Sequence, residues 1–260
     1  HSTKLQHTFE LTKLKLMKTL IKITVLITTY LLILFTTTSC FVEGMTGIKG
    51  SNVVVSEDRN INSNFESIDV QQGINVYLTQ GNSTIINVEA DDKIIDLLIT
   101  EVKNNELKIY FEKNVYKAKA KNVFLTASTI NQIKTSSGAR VKSENTIQTS
   151  ILDLDSSSGS SIKIRISADE VVSETSSGSN MKIEGKTIKF SASSSSGSSI
   201  NASNLKTVDA YAKASSGAQI DVNVSGELRA KASSGGDIDY EGNPSKIDKD
   251  TSSGGSVSSN

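Results

Sequence analysis

The tripeptide Ser-Ser-Gly closes at Gly138, Gly159, Gly178, Gly197, Gly217, Gly235 and Gly254, at successive spacings of 21, 19, 19, 20, 18 and 19 residues. A near-constant period close to twenty is the mark of stacked structural units, each contacting only its neighbours. The residues after each glycine repeat as well. Three residues on stand Val141, Ile162, Met181, Ile200, Ile220, Ile238 and Val257, and five residues on stand Ile164, Ile183, Ala202, Val222 and Tyr240. This is period-two alternation, so a strand with one inward face succeeds each turn. A second alternating run precedes the next turn, as in Val208-Ala210-Ala212 and Leu228-Ala230-Ala232. β-Branched residues, serine and glycine dominate, and no stripe of helical period appears.

Two strands and tight turns per unit predict an all-β, single-domain parallel β-helix (β-solenoid) with rungs of about 19 residues. Right-handed coiling is the general preference for parallel crossovers. At about 3.3 Å per residue a coil measures roughly 60 Å around, and seven rungs about 4.8 Å apart rise roughly 34 Å. Ile162, Met181, Ile200, Ile220 and Ile238 then form one interior stack. Each corner glycine supplies a positive φ. The Ser-Ser hydroxyls, Ser216 among them, are expected to stack as an inward column that bonds along the axis. The competing reading of that column is an outward binding strip.

Residues 65–135 are less regular. Alternation in Ile74-Val76-Leu78 and Leu107-Ile109-Phe111 predicts strands, and Gly81-Asn82 and Asn104-Asn105 predict turns. The run from Asp91 to Ile99 predicts one short helix near the N-terminal end, with Asp91 as its N-cap, shielding the open edge of the first rungs.

Composition narrows the function classes. Lys+Arg and Asp+Glu number 28 each; without residues 1–39 the balance is 23 to 27, a mildly acidic body. No basic face of the kind nucleic acid requires is indicated. The only histidines are His1 and His7, so a His-based triad or His-rich metal site is excluded from the body. Calcium-binding solenoids carry serial Gly-Gly-x-Gly-x-Asp motifs, whereas here only Asp221 and Asp237 stand near corners. No cofactor and no metal is expected. Carboxylate pairs of the kind a polysaccharide lyase or hydrolase needs are Asp153/Asp155, Asp169/Glu170 and Asp237/Asp239. Leu154 and Ile238 alternate with the first and last pairs as inward residues, which makes these acids a solvated face. An enzyme is not expected.

The N-terminal stretch reads as an address. Residues 1–16 form an upstream extension before Met17; residues 17–39 combine basic Lys18 and Lys22 with the apolar run Ile23–Phe35 and small residues. That is the layout of a secretory signal. Because the only cysteine, Cys40, stands where it ends, the segment resembles a lipoprotein signal with Cys40 as the lipidated residue; an ordinary cleaved signal or an anchor helix is the alternative. Residues 40–64 are expected to be a flexible tether to a domain spanning 65–260.

Phe65 to Gly81, "F-x-x-I-D-V-x-x-G-I-N-V-x-L-x-Q-G", carries the tripeptide Gly73-Ile74-Asn75. It resembles the opening of the bacterial head GIN domain, a family of auto-transporter adhesins common in Bacteroidetes. The resemblance implies a β-helix-like fold, a secreted or lipid-anchored protein of the cell envelope, and no catalytic residues. The expected partners are the membrane, through a lipid on Cys40, and a glycan or protein ligand, with Asp209 and Tyr211 as a candidate glycan-binding set. A structural envelope protein that assembles as a homo-oligomer through its last rung, "TSSGGSVSSN", is a third reading.

Overall fold

In the computed structural model, residues 17–19, 21–29, 47–61 and 63–260 are described. The chain divides into two compact units, His1–Gly47 and Ile48–Asn260. In the first, residues 17–19 and 21–29 are helical, and the hydroxyls of Thr28 and Thr29 donate back to carbonyls one turn earlier. Among the described residues no helix is long and apolar enough to cross a membrane. Cys40 lies outside the described residues.

The second unit is a β-solenoid. Its N-terminal part comprises β1 (Ile48–Lys49), β2 (Val54–Arg59), β3 (Ser67–Val70), β4 (Asn75–Gln80), β5 (Ile85–Asp91), β6 (Leu98–Lys103), β7 (Glu106–Phe111), β8 (Val115–Lys117), β9 (Lys121–Ala127) and β10 (Gln132–Thr135). The regular part comprises β11 (Arg140–Ser156), β12 (Ser161–Thr175), β13 (Asn180–Ser194), β14 (Ser199–Ser215), β15 (Gln219–Val224), β16 (Glu227–Ser233), β17 (Asp237–Glu241), β18 (Lys246–Thr251) and β19 (Ser256–Ser259). Strands β11 to β14 each run through both alternating segments of a rung without a break. Register shifts inside the β11–β12, β13–β14 and β14–β15 ladders absorb the bend, so the two expected short strands merge into one.

Apart from those shifts, successive rungs from β11 onward pair in parallel with matched register, which places chemically equivalent residues above one another. The first interior column runs Val123, Val76, Val141, Ile162, Met181, Ile200, Ile220, Ile238, Val257. On the opposite wall a second column tapers from Leu107, Ile68, Ile133 and Leu154 to Ser173, Ala192, Ala212 and Ala230. The interior residues of both columns are buried except at the last rung. Toward the C-terminal rungs the narrow lumen is filled by aliphatics on one side and small residues on the other.

Each Ser-Ser-Gly is a two-residue turn with positive φ at both central positions. In Ser176-Ser177-Gly178-Ser179, φ is 52° at Ser177 and 70° at Gly178, and Ser179 N–H donates to the Ser176 carbonyl (3.2 Å). That pattern is a type I′ turn. The repeated N–H of each corner glycine donates to the carbonyl of the positive-φ serine one rung on, from Gly138 to Ser158 (3.1 Å) through Gly235 to Ser253 (3.2 Å). The corners are therefore tied along the axis by backbone.

This corrects the expected inward serine column. Ser158, Ser177, Ser196, Ser216 and Ser234 are exposed; at the corners the buried hydroxyls belong to the residues that flank the tripeptide. Thr135 donates to Ser156 (3.0 Å), and Ser160 lies within hydrogen-bond distance of both. Thr175, Ser194 and Ser198 repeat the cluster, and Ser179 donates to the Ser156 carbonyl (2.6 Å). A side chain in the left-handed region at a tight turn is thrown outward, so the mortar comes from just before and just after the turn.

Two further expectations change at the N-terminal end. The helix is a single 3-10 turn, Ile95–Leu97, and Asp91 does not cap it. The open end is covered instead by antiparallel strands, with β5 pairing β9 and β2, and β6 pairing β7 through a hairpin turn at Asn104 (φ 53°) and Asn105 (φ 65°). The expected tether is also shorter than 40–64, because β1 pairs β8 and β2 pairs β5 within that range. Apolar alternation signalled these strands but carried no information on their direction.

Candidate binding faces

The corner generates two faces. The strand segment after it presents one set of outward side chains, and the segment before the next corner presents another. The Gly73-Ile74-Asn75 tripeptide is itself such a corner. Gln72 (φ 58°) and Gly73 (φ 68°) are its central residues, and Ile74 N–H closes it on the Gln71 carbonyl (3.3 Å). Asn75 then pairs in register with Arg140, the residue two after Gly138. Lys121 donates to the Gln72 carbonyl (3.3 Å), and burial followed by the nearby Arg140 pushes its amine below the usual lysine range. So Gly73 and the seven repeat glycines occupy one structural role, with Ile74 closing the turn and Asn75 opening the strand, which differing sequences around the turn had concealed.

The face before the corner carries two adjoining grooves. One, of about 410 Å³, is lined by Asp155, Glu174, Ser193 and Lys213, which share one outward column, and by the first serines of successive corners. Burial, then the neighbouring Asp153, raises the Asp155 carboxyl above its ordinary value. The other, of about 300 Å³, is bounded by Glu170, Lys189, Tyr211 and Arg229, with buried Phe190 at its floor. Tyr211 stands between Ser191 and Arg229 in register. The expected set Asp209/Tyr211 thus lies in a groove, but Asp209 is partly committed: one of its carboxylate oxygens accepts the Glu227 N–H (2.9 Å) and holds the turn at Gly226. Glu170 joins the same groove, while Asp153/Asp155 and Asp237/Asp239 flank the buried Leu154 and Ile238 as expected. Lys189 and Arg229 escaped the sequence reading because residues 18 to 20 apart become neighbours only once register is fixed.

The face after the corner is ordered by charge. One outward column reads Phe124, Tyr77, Lys142, Lys163, Lys182, Asn201, Asp221, Asp239, Ser258. The two rings at its head are stacked, with centroids 5.1 Å apart. Glu184 pairs with Lys182 (3.0 Å) and Arg165 (3.7 Å), and Glu144 pairs with Lys142 (2.9 Å). Asp221 accepts from Asn201 (3.1 Å) and Gln219 (3.2 Å), and burial first, with Asp239, Asp237 and Glu241 adding to it, raises its carboxyl. Among the described residues no group of three or more His, Cys, Asp or Glu side chains is arranged to hold a metal.

Comparison with known proteins places this architecture. Residues 64–244 match the family model described as "Putative auto-transporter adhesin, head GIN domain". A crystal structure titled a putative adhesin from Bacteroides fragilis superposes with a TM-score of 0.76 at 23% identity, covering 82% of this chain and 100% of that one. A putative adhesin from Parabacteroides merdae gives 0.70 at 17%, covering 82% and 98%. A structure titled putative lipid binding protein from Parabacteroides distasonis gives 0.65 at 16%, covering 82% and 99%. No curated protein matches the chain.

Proposed function

The chain belongs to the head GIN domain family, and from that membership we propose that it is a non-catalytic adhesin of the bacterial cell envelope. A lipid on Cys40 holds it to the membrane, probing outward with a rigid solenoid. The observation that carries the reading is the pair of grooves on one face. Hydroxyls, carboxylates, Lys213, Arg229 and the half-buried ring of Tyr211 line them side by side on a scaffold with in-register strands. Such a surface suits a hydroxyl-rich ligand: serine and carboxylate oxygens exchange hydrogen bonds with sugar hydroxyls, and an aromatic ring offers apolar area with little entropy to lose. A carbohydrate is therefore the favoured ligand class.

The test is adhesion of a deletion strain to immobilised glycans, complemented by the wild-type chain or by Tyr211→Ala/Arg229→Ala. The wild type restores binding and the double variant loses most of it. Equal binding by the deletion strain and its parent refutes the proposal. Protease shaving of intact cells locates the domain in the same strains, since an outward-facing solenoid is cut without breaking the cell.

A further inference from the structure

The face after the corner divides into two electrostatic halves about a neutral rung. On the N-terminal side, Arg140, Lys142, Lys163, Arg165 and Lys182 outnumber Glu144 and Glu184. Lys163 takes part in no ion pair among the described residues. The middle rung presents Ser199, Asn201 and Ser203. On the C-terminal side stand Asp221, Asp237, Asp239 and Glu241, and neither β15 nor β17 contains a lysine or arginine. The acidic half has no cation of its own, and the charge crowding at Asp221 is the consequence.

The spacing makes this face complementary to itself. Counting outward from the middle rung, Lys182 is one rung to one side and Asp221 one rung to the other, in the same column. Lys163 and Asp239 are each two rungs out in that column. Beyond this column the register of the middle rung shifts, so Arg165 and Glu241 belong to the two charged halves without sharing a column. A twofold axis lying in the face, parallel to the strands and through the middle rung, reverses the rung order while keeping each column opposite itself. It therefore sets Lys182 on Asp221 and Lys163 on Asp239 of a second copy, and the same two pairs recur by symmetry. A twofold axis along the solenoid would set like charge on like.

We propose that this face pairs two copies of the chain in antiparallel fashion, and that the pairing is homophilic adhesion between opposing membranes. The inference rests on the envelope-adhesin reading and deepens it. Ile48, where the solenoid unit begins, pairs through β1 with β8 at the N-terminal end. Reversing the rung order puts the two N-terminal ends at opposite poles, which is the arrangement of molecules anchored on two facing surfaces. Exposed ion pairs are individually weak, so a single pair of copies associates loosely and the strength comes from many copies on each membrane.

The experiment uses the full-length chain coupled through Cys40, its only cysteine, to a maleimide lipid in phosphatidylcholine vesicles. Clustering is read by light scattering, and thermal melts check that each variant is folded. Wild-type vesicles cluster at low ionic strength, and clustering falls roughly tenfold between about 0.05 M and 0.5 M salt as screening shortens the reach of the charges. Lys163→Glu/Arg165→Glu/Lys182→Glu vesicles do not cluster alone, nor do Asp221→Lys/Asp239→Lys/Glu241→Lys vesicles, whereas a mixture of the two regains wild-type clustering. Three results overturn the proposal: no clustering by the wild type, wild-type clustering by either variant alone, or no rescue in the mixture. Loss on inverting the basic half alone, with the acidic half indifferent, assigns the lysines to an anionic partner instead. None of these outcomes bears on glycan adhesion by the deletion strain, so the two readings fail separately.

Discussion

At the scale of single residues, the corner shows how a motif is chosen by backbone geometry. A type I′ turn wants two residues at positive φ, and glycine fills the second position in every copy. Serine fills the first at φ between 49° and 55°, a region that asparagine occupies more readily than serine. A Cβ added at Gly178 meets nothing within 4 Å, so any loss on Gly178→Ala is backbone strain alone. That substitution is expected to lower unfolding free energy by about 1–2 kcal/mol, while Ser177→Asn raises it by about 0.5 kcal/mol. Urea denaturation with both variants checks the pair, and an unchanged Gly178→Ala would sink the account. The glycine half of this corner was legible in the sequence, because glycine is the residue that takes a positive φ without a Cβ penalty. The direction of the serines was not, since "Ser-Ser" looks the same whether its hydroxyls face in or out. A signal lay in the flanks: Ser156/Ser160, Thr175/Ser179 and Ser194/Ser198 are hydroxyl with hydroxyl, while Ala214/Ala218 and Ala232/Gly236 are apolar or small with small. Buried hydroxyls need partners, so such pairing marks the inward positions.

At the scale of elements, the N-terminal cap hangs on a buried carboxylate. Asp91, fully buried at the end of β5, accepts the N–H groups of Asn52 (2.8 Å), Lys119 (2.9 Å) and Ala120 (2.9 Å). It thereby fastens the segment before β2 and the loop between β8 and β9 to one strand end. Burial pushes its carboxyl upward, but the N–H groups of Ala120, Asn52 and Lys119 outweigh burial and hold it below the ordinary value. A folded-state value below the unfolded one means that its contribution is fully present above the unfolded value of about 3.9 and disappears as pH falls through the folded one. Asp91→Asn is expected to cost about 2 kcal/mol at neutral pH, because the uncharged amide accepts more weakly and brings N–H donors of its own into a buried site. The loss should shrink as pH falls below about 3.9. Thermal melts of wild type and variant across that range decide it, and a pH-independent difference counts against the charge. An aspartate before a short apolar run suggests a helix cap, and nothing local shows that its partners lie 28 to 39 residues away. For the same reason strand existence was readable in residues 65–135, but antiparallel pairing was not. In the seven-copy part the near-constant period states which residue lies over which just after each corner. Bulges farther along the rungs shift the register of the second segment, which is why Lys189 and Arg229 were missed.

At the scale of the molecule, the solenoid is a stack whose stability is a sum of rungs and their interfaces. The sum is uneven. The first interior column stays aliphatic to Val257, but the second gives up Leu and Ile for Ser and Ala and ends at Lys249, in register below Ala230. The Lys249 ammonium sits 4.7 Å from the centre of the Tyr240 ring and donates to the Val257 carbonyl (3.2 Å), lying across the end of the core. An inward-pointing charge on an edge strand discourages another strand from adding there. It also leaves the last rung with little apolar area to hold it, and every residue of β18 is exposed. Opening should therefore start at this end and spread toward the aliphatic middle. In salt high enough to keep copies apart, amides of β18 and β19 should exchange roughly a hundredfold faster than those in β12 and β13. Lys249→Ile continues the apolar column, so it should slow exchange in β18 and, by removing the guarding charge, make sedimentation concentration-dependent. Hydrogen exchange read by mass spectrometry on both proteins tests the idea. If β18 in the wild type is protected as well as β12, the uneven stack is wrong and the last rung draws its stability from something other than buried apolar area.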